Sequence, residues 1–455
     1  MASEAEGLDF GDPRRDARGL LVAERLAFRP EASLPTAMLG EAELEAVYRH
    51  LSSMPVSLEK ILRPHVERTI ARVREAQLAY VIHDTTSMTF GGEATRTGLG
   101  PINGKDQGFL CHLSLAVSAE GERAPLGLMG MGTRVRKRVG KPDGTERHKW
   151  ALGIAHASHD LPVEQLIHLA DREADIYELV SWLASEGRRF IIRAAQNRVT
   201  LEELGEEVEL LFAAAAEASP LLDVEVKLGG RAHGNRPEAE LKRFPPRKER
   251  MAHLAFSARR LSLKRPRNGS RTLEPAVALN VVRVWEPEPP KGEDPIEWVL
   301  LTTEPIGTTE DVRRVVDGYR TRWFIEEYIK TLKTGCKYEA AQLESAHALF
   351  NFLGYCAIVA YAMLLMRALS RTGKSLPASH FFTVEQIACL ASFSRRVKLP
   401  KSPTLQEALL ACAGLGGHLK RNGPPGWRTL SSGYSRLLDY EQGYLDAKAE
   451  TCDQS

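Results

Sequence analysis

A long apolar run, Ala348–Met366, is the feature that most restricts how this chain can fold. It carries no charged residue, and Asn351 is its one strongly polar side chain. A helix of this length would be about long enough to cross a bilayer. However, the run contains four Ala and one Gly among its apolar residues, and it directly follows an amphipathic charged segment. A fully buried core helix is therefore favoured over a membrane span.

The overall composition is that of an ordinary globular protein, with 43% hydrophobic and 26% charged residues. This excludes collagen-like, disordered and disulfide-miniprotein classes. The 455 residues suggest about two to four domains at roughly 100–200 residues each. The six cysteines form no Cys-x-x-Cys pair, and the acidic N-terminus has no apolar leader. We therefore expect a reduced, cytoplasmic compartment.

Positive charge is concentrated locally although the net charge is only +2. Residues 225–274 contain 14 Lys or Arg against 5 Asp or Glu. Such a cluster is typical of proteins that bind a polyanion. The same segment alternates apolar and polar residues between Gly and Pro, which predicts a β-rich insertion over about 221–300.

The first 68 residues are predicted to be helical. Asp12 and Pro13 form a helix start, with Asp at the N-cap and Pro at the first position. Arg14, Arg15 and Arg18 then crowd the first turns. Composition alone leaves two interpretations open, an arbitrary helical cap or a DNA-binding head.

Strands alternate with helices from Leu78 onward. The run Leu78–Ile82 leads into Asp84, and Leu161–Leu169 leads into Asp171. We therefore expect each aspartate at the end of a buried strand, where a carboxylate borders a cleft. From Thr309 to Lys333 the pattern predicts helix, and helices continue to the end of the chain.

Polar side chains recur at helical spacing around Glu326. Tyr319, Arg322, Lys330 and Lys333 lie at −7, −4, +4 and +7 from it. On one continuous helix these positions share a narrow stripe. A solvated charged face with i,i+4 pairs is the common explanation for such a stripe. One carboxylate among three cations and a tyrosine also suits a metal ligand flanked by phosphate-binding groups.

Asp84, Asp171 and Glu326 together could hold two Mg²⁺ ions for in-line phosphoryl transfer. Strand-end aspartates often only cap turns, so a structural role stays open. Glu173 and Asp175 are rival ligands in the segment that follows Asp171.

Several motifs resemble bacterial insertion-sequence transposases with an Asp-Asp-Glu (DDE) active site, in particular the group that includes the transposase of transposon five. The spacing of Tyr319, Arg322, Glu326 and Lys333 resembles their Tyr-Arg-Glu-Lys signature. The other matching segments are Gly11–Arg15 with Ala17 and Arg18, Asp84–Ser87, Asp171–Asp175, Pro289–Glu293 and Trp298–Pro305. The resemblance covers about residues 8–450 and weakens after Pro377.

The resemblance implies an α/β fold, a ribonuclease-H-like catalytic core interrupted by a β-rich insertion, with helical N-terminal and C-terminal domains. It implies a DNA-end-binding domain over 1–68, a catalytic domain over 69–370 and a dimerisation domain over 371–455. The implied activity is cut-and-paste transposition by strand nicking, hairpin formation, hairpin opening and strand transfer. Each step is an in-line displacement at phosphorus, so one site can perform all four.

The resemblance also implies roles for individual residues. Asp84, Asp171 and Glu326 would be catalytic metal ligands for two Mg²⁺ ions, with Mn²⁺ as a substitute. Trp298 would be a platform for a flipped base, although a core tryptophan is the alternative. The implied DNA contacts are Tyr319, Arg322, Lys330, Lys333, Trp298, Arg193, Arg14, Arg15 and Arg18. His83 departs from the family pattern, which has an acidic residue before the first aspartate.

The expected partners are double-stranded transposon ends with terminal inverted repeats, target DNA and a second copy of the chain, with no membrane. In a bacterial cytoplasm the protein would associate with the nucleoid when bound to DNA. Two other functions stay open at this point: a metal-dependent nuclease of the same fold without strand transfer, and a domesticated DNA-binding protein without catalysis. The three acids argue against the latter, because a pure binder gains nothing from carboxylates that repel DNA.

Overall fold

The computed structural model describes residues 2–92, 95–102, 106–137, 148–201, 207–230, 238, 241, 245–373, 376–395, 397–419, 421 and 423–452. Two compact units form the fold. The first unit contains residues 1–161 and 323–455, and the second contains 162–322. Both combine helices with strands, which confirms the expected α/β class.

The first unit begins with helices, as the sequence predicts. Asp12 caps the first of them by accepting a hydrogen bond from the Arg14 backbone N–H at 2.9 Å. The helix that starts at Leu58 continues through Pro64 without a break. Their bounds are α1 Pro13–Phe28, α2 Leu34–Ala37, α3 Glu41–Ser52 and α4 Leu58–Ala76.

Four strands follow in this unit: β1 Ala79–Phe90, β2 Gly100–Pro101, β3 Gln107–Ser118 and β4 Pro125–Arg134. Strand β3 is central, and it pairs antiparallel with β1, β2 and β4. All twelve residues of β1 pair with β3. Ten consecutive residues of β3, Gly108–Val117, are buried, so this sheet is covered on both faces. Helix α5, Lys149–Ala157, packs against β3 and β4.

The second unit is built on one mixed sheet. Its strands are β5 Leu166–Ala170, β6 Arg189–Arg193, β7 Val199–Leu201, β8 Glu207–Leu210, β9 Leu222–Leu228, β10 Arg250–Lys264, β11 Ala276–Trp285 and β12 Glu297–Thr302. The order is β5-β6-β12-β11-β10-β7-β8, with β9 also paired to β10. Among the described residues of this unit, β5 and β6 pair parallel, and the other strand pairs are antiparallel. Its helices are α6 Tyr177–Ser185, α7 Leu211–Glu217 and α8 Thr309–Arg320. The β-rich character expected for 221–300 is confirmed by β9–β12.

The prediction of one helix from Thr309 to Lys333 is wrong in one respect, because the chain forms two helices there. Helix α8 ends at Arg320, and α9 spans Trp323–Lys330. The backbone N–H groups of Thr321 and Arg322 bond three residues back, which closes a tight turn between them. A π-helical turn, Thr331–Gly335, then follows α9. The stripe from Tyr319 to Lys333 therefore does not lie on a single continuous helix.

The apolar run lies in α10, Ala346–Thr372, and is almost entirely buried, as expected of a core helix. By length and hydropathy this helix could cross a membrane, and 89% of its most apolar window is buried inside the protein. Asn351 donates from its amide to the backbone oxygens of Leu51 and Val56, which satisfies the run's polar side-chain nitrogen. The remaining helices are α11 Val384–Phe393, α12 Leu405–Leu415 and α13 Trp427–Cys452.

Candidate functional site

Asp84 lies in the middle of β1, not at its end as the sequence suggested. Strand β1 continues to Phe90, and Asp84 pairs with Leu113 of β3. Residues up to His83 are buried, and the strand becomes half-exposed at Asp84. The carboxylate Oδ1 accepts from the Thr85 backbone N–H at 2.7 Å. The aspartate is thus presented on a rigid strand at the point where the strand leaves the core.

Two buried histidines support β1 at this position. His83 Nδ1 lies 2.9 Å from Ser114 Oγ, and His112 Nδ1 lies 2.9 Å from Thr85 Oγ1. Burial lowers the pKa of His112 to about 3, helped by the nearby Lys149 ammonium.

Glu326 lies half-buried on α9, which packs against β1 in the same unit. The helix is anchored by Ile325 and Tyr328, both fully buried. The Tyr328 hydroxyl donates to the backbone oxygen of Ala357 on α10 at 3.0 Å. Lys330, one turn after Glu326, is exposed. The first unit therefore holds two predicted acidic ligands, Asp84 and Glu326, on elements that contact each other.

Lys333 lies on the π-helical turn and is partly buried. Its ammonium donates to the Ser87 backbone oxygen of β1 and lies 3.3 Å from the Glu339 carboxylate. The sequence stripe predicted that Lys333 binds a DNA phosphate near Glu326, but gave no contact to β1. The tertiary contacts instead attach it to the strand that carries Asp84.

Asp171 lies at the end of β5 in the second unit, as predicted. It caps the short 3₁₀ turn Arg172–Ala174 by accepting from the Glu173 backbone N–H at 2.9 Å. Its side chain remains partly exposed. Turn capping and ligand binding are compatible here, because a carboxylate offers two oxygens and the cap uses Oδ1.

Asp175 is a structural residue in this setting. It is 4% exposed and forms an ion pair with the Arg198 guanidinium. Its Oδ2 accepts from the backbone N–H groups of Ala195 and Gln196 at 2.6 and 2.7 Å. Both oxygens are therefore engaged within the fold. Of the two aspartates in this segment, Asp171 is the one suited to bind a ligand.

A positively charged cluster surrounds Asp171 within the second unit. Burial lowers the pKa of the Arg193 guanidinium, and the neighbouring charges of Arg172 and Arg322 act in the same direction. Burial also raises the pKa of the Tyr319 hydroxyl, while Arg322 and Arg193 oppose that shift. Because burial and neighbouring cations disfavour its charge, Arg193 would gain from an anion such as phosphate. Sequence reasoning missed Arg172, although its position directly after Asp171 was a signal.

Trp298 lies on β12 and is partly exposed. Its ring meets Tyr319 edge-on with centroids 5.7 Å apart, and the Arg193 guanidinium carbon lies 5.8 Å from its centroid. Arg193 is held there by donating to the Glu297 backbone oxygen at 3.0 Å. Beside Trp298 an open pocket of about 170 Å³ is lined by Val224, Val226, Leu228, Leu254, Phe256, Ile296, Arg313, Val316, Asp317 and Arg320.

The predicted basic regions differ in how their charges are used. On α1, Arg14 is exposed, and Arg15 and Arg18 are partly exposed. In the 225–274 segment, by contrast, several cations are paired with acids. Arg250 binds Glu286 and Glu293, and Lys227 lies 2.8 Å from Glu249. Four of the fourteen cations, Arg231, Arg236, Lys242 and Arg243, lie outside the described residues.

Within each of the two units, no three His, Cys, Asp or Glu side chains of the described residues converge on a common point. The donor chemistry nevertheless fits a hard divalent cation, because Asp84, Glu326 and Asp171 offer carboxylate oxygens. The first unit supplies Asp84 and Glu326, and the second supplies Asp171.

Two family comparisons cover separate parts of the chain. Residues 1–56 match the transposase DNA-binding family, and residues 139–362 match the transposase DDE domain family. The chain is also similar to a piggyBac transposase solved by cryo-EM in a synaptic complex with hairpin DNA. That match has 10% identity and a TM-score of 0.34, covering 78% of this chain and 66% of the other. The chain thus spans slightly under two thirds of that protein, and so distant a likeness carries no argument about mechanism.

Proposed function

We propose that the chain, which has an α/β fold of ribonuclease-H-like class, is a DDE transposase that performs cut-and-paste transposition of an insertion sequence. Its matches to the transposase DNA-binding family and to the transposase DDE domain family support this proposal. In this proposal the protein cuts at the ends of a mobile DNA segment and joins them to a target. The single observation that carries the proposal is the match of residues 139–362 to the DDE domain, which contains Asp171 and Glu326.

The proposed site uses Asp84, Asp171 and Glu326 as ligands for two Mg²⁺ ions, with Mn²⁺ as a substitute. When bound, such ions stabilise the charge that develops on the attacking and leaving oxygens of an in-line displacement. The chain's own contribution is to hold the carboxylates rigidly. Asp84 is fixed by the β1–β3 ladder, and Glu326 by the buried face of α9.

The proposed reaction has four displacements at phosphorus. Water first attacks the transposon end and releases a 3′-OH. This 3′-OH attacks the opposite strand and closes a hairpin, water reopens the hairpin, and the 3′-OH finally attacks target DNA. Side chains hold the DNA in place throughout: Tyr319, Arg322, Lys330, Lys333 and Arg193 at phosphates, and Trp298 under a flipped base. The partly exposed Trp298 ring and the arginine cluster beside it support these assignments.

The proposed domain division gives each region a task. Residues 1–68, with Arg14, Arg15 and Arg18 on α1, would recognise the DNA end. Residues 69–370 would be catalytic, with the β-rich insertion at about 221–300. Residues 371–455 would join two protomers on DNA. On α13 and the adjacent α11, Tyr440 stacks on Phe393 at 4.3 Å, and Tyr444 and Leu445 are 45% and 41% exposed. Exposed aromatic and aliphatic side chains of this kind suit a protein interface.

Assembly can be tested on that surface. Helices α11–α13 pack on each other, and α12 and α13 also pack on the core helix α10, so deleting everything after Gly373 would uncover the core. Replacing Tyr444 and Leu445 with Ser avoids this problem. We expect the double variant to bind a single DNA end but to lose the two-end complex in gel-shift and light-scattering measurements. Normal pairing of two ends by this variant would place the dimer contact elsewhere.

Catalysis can be tested with DNA that carries terminal inverted repeats, once these are found in the sequence flanking the gene. Incubating the protein with Mg²⁺ and DNA bearing those repeats should give nicked and then hairpin ends on denaturing gels. The Asp84→Ala variant and added EDTA serve as controls. Nicks without hairpins or joined products would favour a nuclease of the same fold. Binding without any cut would favour a DNA-binding protein without catalysis.

A further inference from the structure

At one edge of strand β1, the backbone groups of Ser87 and Thr89 form hydrogen bonds with two side chains instead of with another strand. The Thr89 backbone N–H donates to Glu339 Oε1 at 2.8 Å. The Lys333 ammonium donates to the Ser87 backbone oxygen at 2.5 Å. The Lys333 ammonium also lies 3.3 Å from the Glu339 carboxylate. The Lys333 side chain is 23% exposed and the Glu339 side chain is 30% exposed. The Lys333–Glu339 pair and the strand edge thus form one closed set of contacts.

This arrangement takes the place of a neighbouring strand. In a parallel sheet, one residue of the neighbouring strand donates to the C=O of one residue and accepts from the N–H of the residue two positions later. On β1 these two groups are the Ser87 C=O and the Thr89 N–H. Unpaired backbone groups that leave water cost free energy comparable to a lost hydrogen bond. The ion pair therefore stabilises β1 at Ser87, which lies three residues after Asp84 in the sequence.

The two side chains are held by rigid local structure. Lys333 lies on the π-helical turn Thr331–Gly335, and such turns recur at functional sites. Glu339 lies in a 3₁₀ turn, Tyr338–Ala340, that follows Lys337 in the left-handed region at φ 49°. Tyr338 is fully buried, and its hydroxyl donates to the Leu349 backbone oxygen at 2.8 Å. The Glu339 carboxylate consequently has little freedom to leave β1.

We propose that Glu339 is a positioning residue that fixes the Lys333 ammonium at the edge of β1 and orients its remaining N–H bond towards a DNA phosphate. An ammonium has three N–H donors. Ser87 and Glu339 accept two of them, which leaves one donor in a defined direction. This inference rests on the proposed function, in which Lys333 contacts a phosphate near the scissile bond. Glu339 itself does not touch the reacting atoms.

The first test measures the pair directly, without catalysis. Amine acetylation of the folded protein, read by mass spectrometry, compares Lys333 with the exposed Lys330 as an internal reference. We expect Lys333 to react several-fold more slowly than Lys330 in the wild-type protein. Glu339→Gln should remove most of that protection, because the amide keeps an acceptor for the Thr89 N–H but loses the charge that holds the ammonium. Equal labelling of both lysines in the wild type would overturn the proposal.

The second test asks whether Glu339 acts through Lys333. Single-turnover cleavage of end DNA is measured for Glu339→Gln, Lys333→Met and the double variant. We expect Glu339→Gln to slow cleavage about tenfold, as expected when a catalytic group is misplaced, with an unchanged unfolding midpoint. In the Lys333→Met background the same substitution should have no further effect. If the rate losses of the two single variants multiply in the double variant, Glu339 does not act through Lys333. If Glu339→Gln lowers the unfolding midpoint and the cleavage rate together, its role is merely structural.

A matched control is Glu344→Gln, which removes the same charge from an exposed position five residues away. It should change neither labelling nor cleavage. If the wild-type protein binds end DNA without cutting it, the proposed function fails. The positioning role is then decided by labelling with and without DNA. DNA should protect Lys333 in the wild type and protect it less in Glu339→Gln, and equal protection in both would contradict the role.

Discussion

The two regions that carry the predicted acids treat their positive charges in opposite ways. Beside Asp84, the Lys333 ammonium is matched by the Glu339 carboxylate and by a backbone oxygen of β1. Beside Asp171, the charges of Arg172, Arg193 and Arg322 act on one another, and burial further disfavours the Arg193 charge. The first region therefore pairs its lysine with a carboxylate, whereas the second brings three arginines within electrostatic reach of one another.

The difference indicates a division of labour within the proposed site. A region whose lysine is held by a carboxylate orients groups, whereas a region in which several arginines lie close together attracts an anion. Phosphate binding would be worth more at the arginine cluster, because an anion there would offset the burial and the neighbouring charges that disfavour the Arg193 guanidinium. Four predictions can break or sharpen this comparison.

The largest effect on stability is expected when the two aspartates of the second region, Asp171 and Asp175, are replaced one at a time. Asp175→Ala would leave the Arg198 guanidinium, 9% exposed, without its carboxylate partner. Breaking a buried pair in this way costs about 3–5 kcal/mol, so urea unfolding should show a marked loss of stability. Asp171→Ala should cost only about 1 kcal/mol, the usual value of a lost cap.

Activity should show the reverse order. Asp171→Ala, like Asp84→Ala and Glu326→Ala, should abolish nicking while end-DNA binding survives, because a site for two divalent ions loses charge and geometry with any ligand. Cleavage that persists at saturating Mg²⁺ would remove the substituted residue from the site. A stable Asp175→Ala protein would contradict the structural role assigned to that residue.

Trp298→Ala should impair hairpin formation more than first-strand nicking. Nicking attacks an accessible phosphate with water, whereas the hairpin needs a sharply bent strand with an extruded base. Losing base stacking costs about 1–3 kcal/mol, so the hairpin step should slow by roughly 5- to 150-fold. Trp298→Phe keeps an aromatic ring against Tyr319 and controls for packing. Equal loss of both steps in time courses would indicate a structural tryptophan.

Acid should destabilise both regions through buried histidines. The pKa values of His112 in the first unit and His168 in the second are each lowered to about 3 by burial. The unfolded chain binds the proton at about pH 6.5, so stability is complete above that pH and falls as the pH drops towards 3. At pH 5 each histidine should cost about 2 kcal/mol.

Thermal melts at pH 7.5 and pH 5 of His112→Gln and His168→Gln measure these contributions. Each substitution should reduce the pH dependence of the unfolding midpoint. The contribution of the histidine that remains should be unchanged. An unchanged pH dependence in either variant would show that the corresponding histidine does not titrate on unfolding.

Local signals predicted much of the fold. The N-cap at Asp12, the helices of the C-terminal part and the β-rich character of residues 221–300 follow from capping residues and from hydrophobic periodicity. The uncharged run 348–366 was correctly expected in the core. These features depend on interactions within a few residues, so a single sequence is sufficient to predict them.

Other features depend on tertiary contacts that the sequence does not display. The pairing of β1 with β3 continues six residues past Asp84, so polar residues that look like a strand end remain in the ladder. The break at Thr321–Arg322 interrupts a pattern with good helical periodicity. The choice between Asp171 and Asp175 depends on Arg198, 23 residues after the buried aspartate. The Lys333–Glu339 pair was missed because its partner groups belong to a distant strand.

The smallest effect is expected in the salt dependence of DNA binding. Each phosphate contact adds about 0.9 to the slope of log affinity against log salt on duplex DNA. Arg193→Gln and Arg322→Gln should each flatten the slope by about that amount if each arginine contacts one phosphate. Lys333→Met should flatten it less, since Glu339 already compensates that ammonium. Filter binding between 50 and 200 mM salt, a range in which contacts of this kind dominate the affinity, can resolve the difference. An equal change at all three positions would mean that the two regions do not differ as proposed, and an unchanged slope would mean that these cations do not contact phosphate.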